Sequence, residues 1–254
     1  MLNKEQIAHF DTFGFVFIRN LLDESEINEL SLYAQEIFDE HINDTGEKYP
    51  GLTPFFDLNL KMDKFVVDKR VSDSVKSLLG DGFLWVVSEG NITNKSEHGW
   101  HPDRTGTENQ LQHRRLKVMF YLDETTQEKG CLRVIPGSQN YQMHTDIRNG
   151  TDAPPDSGED ADYIYGIKGR DFPAYFVESN PGDVLFFNQS LWHSVYNGFP
   201  GRRYLAMKFA AKPENNEHIE SLNKYSLSMF SPHENYLNSK DSRIRSMIDP
   251  ILKL

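Results

Sequence analysis

Two side chains that commonly bind metals, His101 and Asp103, lie two positions apart in the sequence. Successive side chains of an extended backbone point to opposite faces, so residues two apart share a face. Two histidines and one carboxylate that leave coordination positions open are typical of non-heme iron(II) sites and their oxygen chemistry. The pair therefore predicts half of such a site, although a His-x-Asp triplet alone is more often an ordinary loop sequence.

The second histidine should come from a distant strand, and His193 is the best candidate. It follows an apolar segment, Val184 to Phe187, that begins after the turn residues Gly182 and Asp183. A strand of this kind can present the imidazole from a rigid position. A single histidine there is often structural or exposed instead, so this sequence position alone leaves both interpretations open.

Arginine 203 is a candidate for binding an anionic co-substrate. In the strand from Arg202 onward, pleating places Arg203 on the more apolar face, and Arg202 on the other face with Tyr204 and Lys208. An arginine on an inward face needs a buried anion, and a dicarboxylate would supply one through a bidentate pair. An internal salt bridge would satisfy Arg203 equally well. If the strand register differs by one residue, Arg202 takes the place of Arg203 in this role.

A lysine, Lys117, interrupts the otherwise apolar strand Leu116 to Leu122 and shares a face with Met119 and Tyr121. Taken alone, it indicates an edge strand or a solvated position. Inside a barrel that holds an anionic ligand, the same lysine would line the pocket.

The elements that must position these residues change from helical to stranded along the chain. Helical spacing follows a cap at Asp23 or Ser25 and recurs near Val71 to Leu79, whereas short apolar strands separated by turns dominate the middle. This order predicts a mainly β protein, an antiparallel sandwich or barrel with helices packed outside.

We expect a single domain over residues 1–254. Residues 1–82 would form a helical N-terminal support, 83–212 the barrel core, and 213–254 a helical C-terminal extension. An insertion at 141–176, rich in Pro, Gly and Asp, interrupts the core. A loop of that length is either an active-site lid or a flexible insertion, and the sequence does not separate the two.

Composition indicates which classes of binding partner and which cellular compartment to expect. The net charge of −11 argues against nucleic acid and anionic membranes, which call for basic surfaces. One cysteine, Cys131, excludes an intramolecular disulfide framework and fits a reducing compartment. The N-terminal residues lack the pattern of a signal peptide, and no apolar run is long enough to span a bilayer. A cytoplasmic location is therefore expected.

Taken in order, these motifs resemble the phytanoyl-CoA dioxygenase family of iron(II)- and 2-oxoglutarate-dependent oxygenases. The resemblance extends from about Phe15 to about Phe209. It is carried by His101-Pro102-Asp103, Leu122-Asp123-Glu124, the block Gly130-Cys131-Leu132-Arg133-Val134-Ile135-Pro136-Gly137-Ser138, the segment from Gly182-Asp183 to His193, and Asn197 and Arg203.

The resemblance implies a double-stranded β-helix, the jelly-roll barrel also found in cupins. It implies that His101, Asp103 and His193 bind iron and that Arg203 holds the distal carboxylate of 2-oxoglutarate. Met119 matches a position that lines the co-substrate pocket, and Lys117 shares its face. In the family, a small hydroxylic residue often lies two positions after the distal histidine, and this chain departs from that pattern. That position is Val195, so the adjacent Ser194 is the candidate for this contact.

The expected activity is hydroxylation of a small-molecule C–H bond with O2, releasing succinate and CO2, with ascorbate expected to help. Related halogenases replace the carboxylate ligand with a small residue, so Asp103 favours hydroxylation, with desaturation and cyclisation as alternatives. A cupin-like metal enzyme and a non-catalytic binding module are further alternatives. An anionic substrate is favoured if nearby cations form a basic mouth, whereas scattered surface charges would carry no such meaning. These cations are His98, Arg104, His113, Arg114 and Arg115.

Overall fold

A computed structural model describes residues 1–153, 159–227 and 231–254. Its α-helices are α1 (Lys4–Phe13), α2 (Glu24–Thr45), α3 (Asp63–Val66), α4 (Lys69–Leu79), α5 (Glu108–Gln112), α6 (Tyr141–Gly150), α7 (Asn216–Leu222), α8 (Glu234–Leu237) and α9 (Ser242–Ile248). Short 3-10 helices cover Phe56–Leu58, Leu60–Met62, Gly169–Asp171 and Ile251–Lys253, and a π-helix covers Asn223–Leu227.

The strands are β1 (Phe15–Ile18), β2 (Gly51–Leu52), β3 (Leu84–Thr93), β4 (His98–His101), β5 (Arg115–Tyr121), β6 (Leu132–Val134), β7 (Tyr163–Ile164), β8 (Ile167–Lys168), β9 (Tyr175–Val177), β10 (Val184–Asn188), β11 (His193–Val195) and β12 (Arg202–Ala210). No helix among the described residues is both long and apolar enough to cross a bilayer.

Local sequence accounts for the ends of the first two long helices. Asn3 with Gln6, and Asp23 with Glu26, form capping boxes in which each side chain bonds the other residue's backbone N–H. Helix α1 ends at Gly14, whose φ of 84° lies in the left-handed region that glycine adopts without steric cost. Asp23 is thus the cap of α2, one of the two residues predicted for that role.

The chain forms two facing antiparallel sheets. The larger has the strand order β1-β10-β5-β12-β3-β2, and the smaller has the order β4-β11-β6-β9. Strands β3, β5, β10 and β12 alternate along the chain with strands of the smaller sheet, as in a jelly roll. This confirms the predicted fold class. No pairing between described strands joins the two sheets, so the jelly roll is a sandwich and not a closed barrel.

The two faces of the larger sheet differ in character. Its outer face is apolar and packs against the helices in the main hydrophobic core, with Val118, Phe120, Phe186, Leu205, Met207 and Phe209 among its members. Its inner face turns towards the smaller sheet and combines a smaller apolar cluster with polar side chains. The helices therefore cover the apolar face, while the space between the sheets stays partly polar.

The segment 141–176 contains more regular structure than a long loop. Helix α6 opens it, the hairpin β7–β8 follows, and β9 pairs with β6 in the smaller sheet. Residues 154–158, the Pro-rich part of the segment, lie outside the described residues. The expectation of an irregular loop over the whole segment is therefore wrong, because α6 buries His144 and Ile147 and β9 completes a sheet.

The C-terminal segment packs on the outside of the sandwich. The three apolar residues predicted for its helix, Ile244, Met247 and Ile248, are buried in α9 and belong to the main core. These contacts place the tail against the helical side of the larger sheet, remote from the inner face.

Candidate metal centre

The two candidate histidines face each other across a pair of strands. His193 on β11 lies opposite His101 on β4 in the antiparallel register, and their ring centroids are 4.3 Å apart. Asp103 follows two residues after His101, where β4 has ended. One ligand atom from each of these three residues lies within 4.8 Å of the others. The structure thus brings together the three residues predicted to form a metal site.

Both imidazole rings are oriented in the same way by the backbone. Nδ1 of His101 lies 2.9 Å from the carbonyl oxygen of Gly99, and Nδ1 of His193 lies 2.8 Å from that of Leu191. A carbonyl oxygen only accepts, so Nδ1 carries the proton and Nε2 of each neutral ring keeps its lone pair. This arrangement is the usual one for metal-binding histidines.

The charges around the three residues favour metal binding. Burial, then the neighbouring His101, lowers the pKa of His193 to about 3. Burial, then His98, also lowers the pKa of His101. Burial alone would raise the pKa of Asp103, but Lys117 and Lys208 outweigh it and hold that pKa well below its usual range. Two neutral imidazoles and one carboxylate are the protonation states that a metal ligand set requires.

The donor set fits iron(II) in a further respect. Asp103 Oδ1 is 3.7 Å from Nε2 of His193, so a carboxylate oxygen and a free imidazole nitrogen face the same point. The other oxygen, Oδ2, is buried and accepts no hydrogen bond from the described residues, and it lies 3.5 Å from Lys117 Nζ. A carboxylate oxygen, Asp103 Oδ1, beside two available imidazole nitrogens is the environment expected where a cation binds.

These residues line a cavity of about 450 Å³ between the two sheets. The cavity reaches from Arg202 to a rim formed by the residues that precede β2 and by the connection between β3 and β4. Other side chains on its wall are Tyr49, Glu89, Asn91, Thr93, Asn94, Lys95, Glu97, His98, Lys117, Met119, Tyr121, Leu132, Ser194, Val195, Tyr204 and Lys208.

The inward face predicted for β5 is confirmed, since Lys117, Met119 and Tyr121 all line the cavity. Ser194 borders it as well, but its hydroxyl oxygen is buried and finds no hydrogen-bond partner in the part of the chain that the structure describes. Lys117 is not free in the pocket. Its Nζ lies 2.8 Å from Glu89 Oε1 and 3.5 Å from Asp103 Oδ2.

Arg203 does not reach the cavity, and the expectation that it points inward is wrong. Its guanidinium pairs with Asp123 at 2.8 Å and bonds Gln35 of helix α2 at 3.1 Å on the outer side of the sheet. The pleat had been assigned correctly, with Arg203 on the face of Leu205 and Met207. This apolar face does not line the cavity, because the helices cover it.

Arg202 occupies the position expected of Arg203. It is buried, lines the cavity, and donates a hydrogen bond from Nη1 to the carbonyl oxygen of Gly130. Its guanidinium carbon lies 5.9 Å from the ring centroids of Tyr121 and Tyr204. Its Nε is buried and has no hydrogen-bond partner among residues 1–153, 159–227 and 231–254. The guanidinium therefore retains donor capacity for an anion.

Of the two alternatives for the five cations near His101, the described residues favour scattered charges over a basic mouth. Arg104 and Arg115 are buried, and neither they nor His113 lines the cavity. Arg104 instead donates to the carbonyl oxygens of Gln110, Leu111 and His113, and Arg114 pairs with Asp11. His98 lies at the rim, 2.9 Å from Asp160.

Sequence reasoning did not find Glu89, Lys208 or Tyr204 as site residues. Alternation along β12 places Tyr204 and Lys208 on the same face as Arg202. The polar character of this face is the sequence signal that could have identified them. Glu89 had no such signal, because its position in the cavity follows from the pairing of β3 with β12.

Fold and site together define a jelly-roll protein with a two-histidine, one-carboxylate set at the wall of an internal cavity. The family model of phytanoyl-CoA dioxygenase matches residues 10–196, most of the chain, and the protein belongs to this family. The match confirms the family predicted from the sequence and, with it, the class of oxygenase that uses iron and 2-oxoglutarate. No curated protein sequence matches the chain significantly.

Several solved structures share the fold. HygX from Streptomyces hygroscopicus, crystallised with nickel and 2-oxoglutarate, is 20% identical, with a TM-score of 0.63 over 83% of this chain and 88% of HygX. EctD from S. alaskensis with bound Fe is 18% identical, with a TM-score of 0.60 over 83% of this chain and 77% of EctD. SnoK, an alpha-ketoglutarate-dependent carbocyclase from nogalamycin biosynthesis, is also 18% identical, with a TM-score of 0.60 over 83% and 84%.

Proposed function

We propose that the protein is an iron(II)- and 2-oxoglutarate-dependent dioxygenase that hydroxylates a C–H bond of a small-molecule metabolite, with release of succinate and CO2. The observation that carries this proposal is the convergence of His101, Asp103 and His193 on one point of a cavity wall. HygX and EctD, which share the fold, were crystallised with 2-oxoglutarate and with iron respectively.

In this proposal His101, Asp103 and His193 hold the iron through two imidazole nitrogens and a carboxylate oxygen. Iron(II) with 2-oxoglutarate and dioxygen supplies the oxidising chemistry. The chain itself contributes three things. The carbonyl oxygens of Gly99 and Leu191 hold the rings in orientation. The sheets shield the reacting atoms from water, and the cavity wall positions the substrate.

We further propose Arg202, and not Arg203, as the residue that binds the distal carboxylate of 2-oxoglutarate. It lies in the cavity with unused donors, and guanidinium forms strong bidentate pairs with carboxylates. Met119, Tyr121 and Tyr204 line the wall beside it. Ser194 and Lys117 remain candidates for contacts with the co-substrate, although Lys117 already has two carboxylate partners.

Polar groups on part of the cavity wall support a polar substrate. Glu89 and Lys208 form an ion pair within it, and Tyr49, Asn91 and Asn94 present polar groups towards the rim. An acyl chain seated against these groups would remove them from water without replacing their hydrogen bonds, which is costly. We therefore propose a compact, hydrogen-bonding metabolite as substrate and not a long acyl chain.

The proposal is tested by measuring succinate release with iron(II), 2-oxoglutarate and ascorbate over two substrate panels. One panel contains sugars, cyclitols, amino acids and hydroxy acids, and the other contains fatty acids and acyl thioesters. A polar compound is expected to stimulate release and to gain one oxygen atom by mass spectrometry. A product that has lost two hydrogen atoms would show that the reaction is desaturation or cyclisation and not hydroxylation. Stimulation by the acyl panel alone would contradict the substrate class.

A further inference from the structure

Four side chains of alternating charge form a continuous line along the cavity wall. Asp103 Oδ2 lies 3.5 Å from Lys117 Nζ, which is 2.8 Å from Glu89 Oε1. Glu89 Oε2 in turn lies 2.9 Å from Lys208 Nζ. The line runs from a predicted metal ligand to Lys208 on β12, the neighbour of β5 in the larger sheet.

Strand pairing explains why the carboxylate of Glu89 is needed there. Lys117 on β5 and Lys208 on β12 are directly opposite each other and point to the same face. Like charges at such positions repel each other. Glu89 on β3 bridges both, and these two lysines lower the pKa of its carboxyl to about 2 against the opposing effect of burial. Glu89 therefore offsets the charge of the two lysines.

The two oxygens of Asp103 have different surroundings as a result. Oδ1 faces Nε2 of His193 at 3.7 Å, on the side of the metal site. Oδ2 faces Lys117, and the 3.5 Å separation makes this an ion pair and not a hydrogen bond. Lys117 is itself almost fully buried, with 7% of its surface exposed, so it has little freedom to leave.

A carboxylate can bind a metal through one oxygen or through both. We propose that Lys117 is a positioning residue that retains Oδ2 of Asp103 and so confines this ligand to a single oxygen on the metal. This inference rests on the proposed function. Its consequence is that one coordination position stays available to the co-substrate, because a second carboxylate oxygen would otherwise take it.

The test uses cobalt(II) as a spectroscopic probe of coordination, titrated into the metal-free protein without 2-oxoglutarate. Wild-type protein is compared with Lys117→Met and with the matched control Lys208→Met, which removes the same charge from the cavity without touching Asp103. A charge effect alone raises cobalt affinity in both variants. Only Lys117→Met is expected to change the shape and intensity of the visible absorption bands.

Addition of 2-oxoglutarate supplies a second readout. In Lys117→Met the concentration that perturbs the cobalt spectrum is expected to rise by about tenfold, the lower end of the effect of removing a residue that orients a ligand. Glu89→Gln keeps Lys117 beside Asp103, so its cobalt spectrum without 2-oxoglutarate should keep the wild-type shape. Lys117→Gln repeats the test should Lys117→Met not fold.

An unchanged cobalt spectrum in the Lys117 variant would overturn the inference. If only the 2-oxoglutarate requirement changed, Lys117 would be a co-substrate residue and not a positioning residue. If the wild-type protein itself bound no cobalt or iron, the proposed function would fail first. The two failures are therefore distinguishable.

Discussion

His193 and His101 are direct partners in the antiparallel register of β11 and β4, with ring centroids 4.3 Å apart. Because each Nδ1 is engaged by the carbonyl oxygen two residues earlier, both Nε2 atoms are available to a ligand. The pairing of β11 with β4 thus brings together two histidines that lie more than ninety positions apart in the sequence. The predictions below follow from this arrangement and from the contacts around it.

Replacement of Asp103 by alanine should abolish most of the metal affinity. The change removes the only carboxylate among the three proposed ligands and leaves two neutral imidazoles. We expect metal affinity and succinate production to fall by about 100-fold or more. Equilibrium metal titration and a succinate assay measure the two effects. Unchanged succinate production would refute the ligand assignment.

The neighbouring arginines offer a matched pair of variants. Arg202→Gln should raise the 2-oxoglutarate concentration needed for half-maximal turnover by about tenfold or more, because a buried charge-assisted pair is lost. Arg203→Gln should leave that concentration unchanged and cost about 1 kcal/mol of stability at most, since its pair with Asp123 is partly exposed. The reverse result would mean that Arg203 binds the co-substrate.

Asp183 should be important for stability and not for chemistry. Its carboxylate is buried, accepts hydrogen bonds from the backbone N–H groups of Asn20 and Asn180, and pairs with Arg19 at 2.8 Å. Asp183→Ala leaves these donors unsatisfied and is expected to lower the free energy of unfolding by about 2–4 kcal/mol. Denaturant unfolding measures the loss, and a change below 0.5 kcal/mol, the usual range for surface substitutions, would contradict this role.

Stability should decrease as the pH falls below about 6.5. Burial lowers the pKa of His113 to about 3 in the folded protein, whereas an unfolded histidine titrates near 6.5. The unfolded chain therefore binds the proton first, and this single group contributes a loss of about 2 kcal/mol between pH 7.5 and pH 5. His113→Gln should reduce the pH dependence of the unfolding free energy of metal-free protein by that amount. An identical dependence in both proteins would show that His113 is not buried in its neutral form.

The chemistry of the site was predictable to a large extent from residue types and their order. His101, Asp103 and His193 form a recognisable set, and alternation in β5 correctly placed Lys117 and Met119 on one inward face. The strands themselves were predictable because apolar runs bounded by turn residues are strong local signals.

Which face of β12 points inward was not predictable in the same way. Apolar character indicated that the Arg203 face of β12 was buried, and this is correct. Two surfaces of the sheet are buried, however, one beneath helices and one beneath the second sheet. Local sequence does not state which of them contains the cavity, so Arg203 was preferred and Arg202 was the alternative only for a shifted register. Glu89 lies in the site because β3 pairs with β12, and this long-range pairing has no local signature in the sequence.

Segment 141–176 shows a second limit. Its Pro, Gly and Asp content indicated a loop, yet α6 and β9 form within it because His144, Ile147 and Val177 are buried against the rest of the protein. Tertiary burial outweighs weak local propensity in such segments.

In the proposed function, His101, Asp103 and His193 together hold one iron(II) ion to which 2-oxoglutarate binds. The most direct measurement is anaerobic addition of iron(II) and then 2-oxoglutarate to the wild-type protein and to His193→Ala, followed by visible absorption. A weak metal-to-ligand absorption band is expected with the wild-type protein and none with the variant. Absence of the band from wild-type protein that is shown to bind iron would contradict the proposed function.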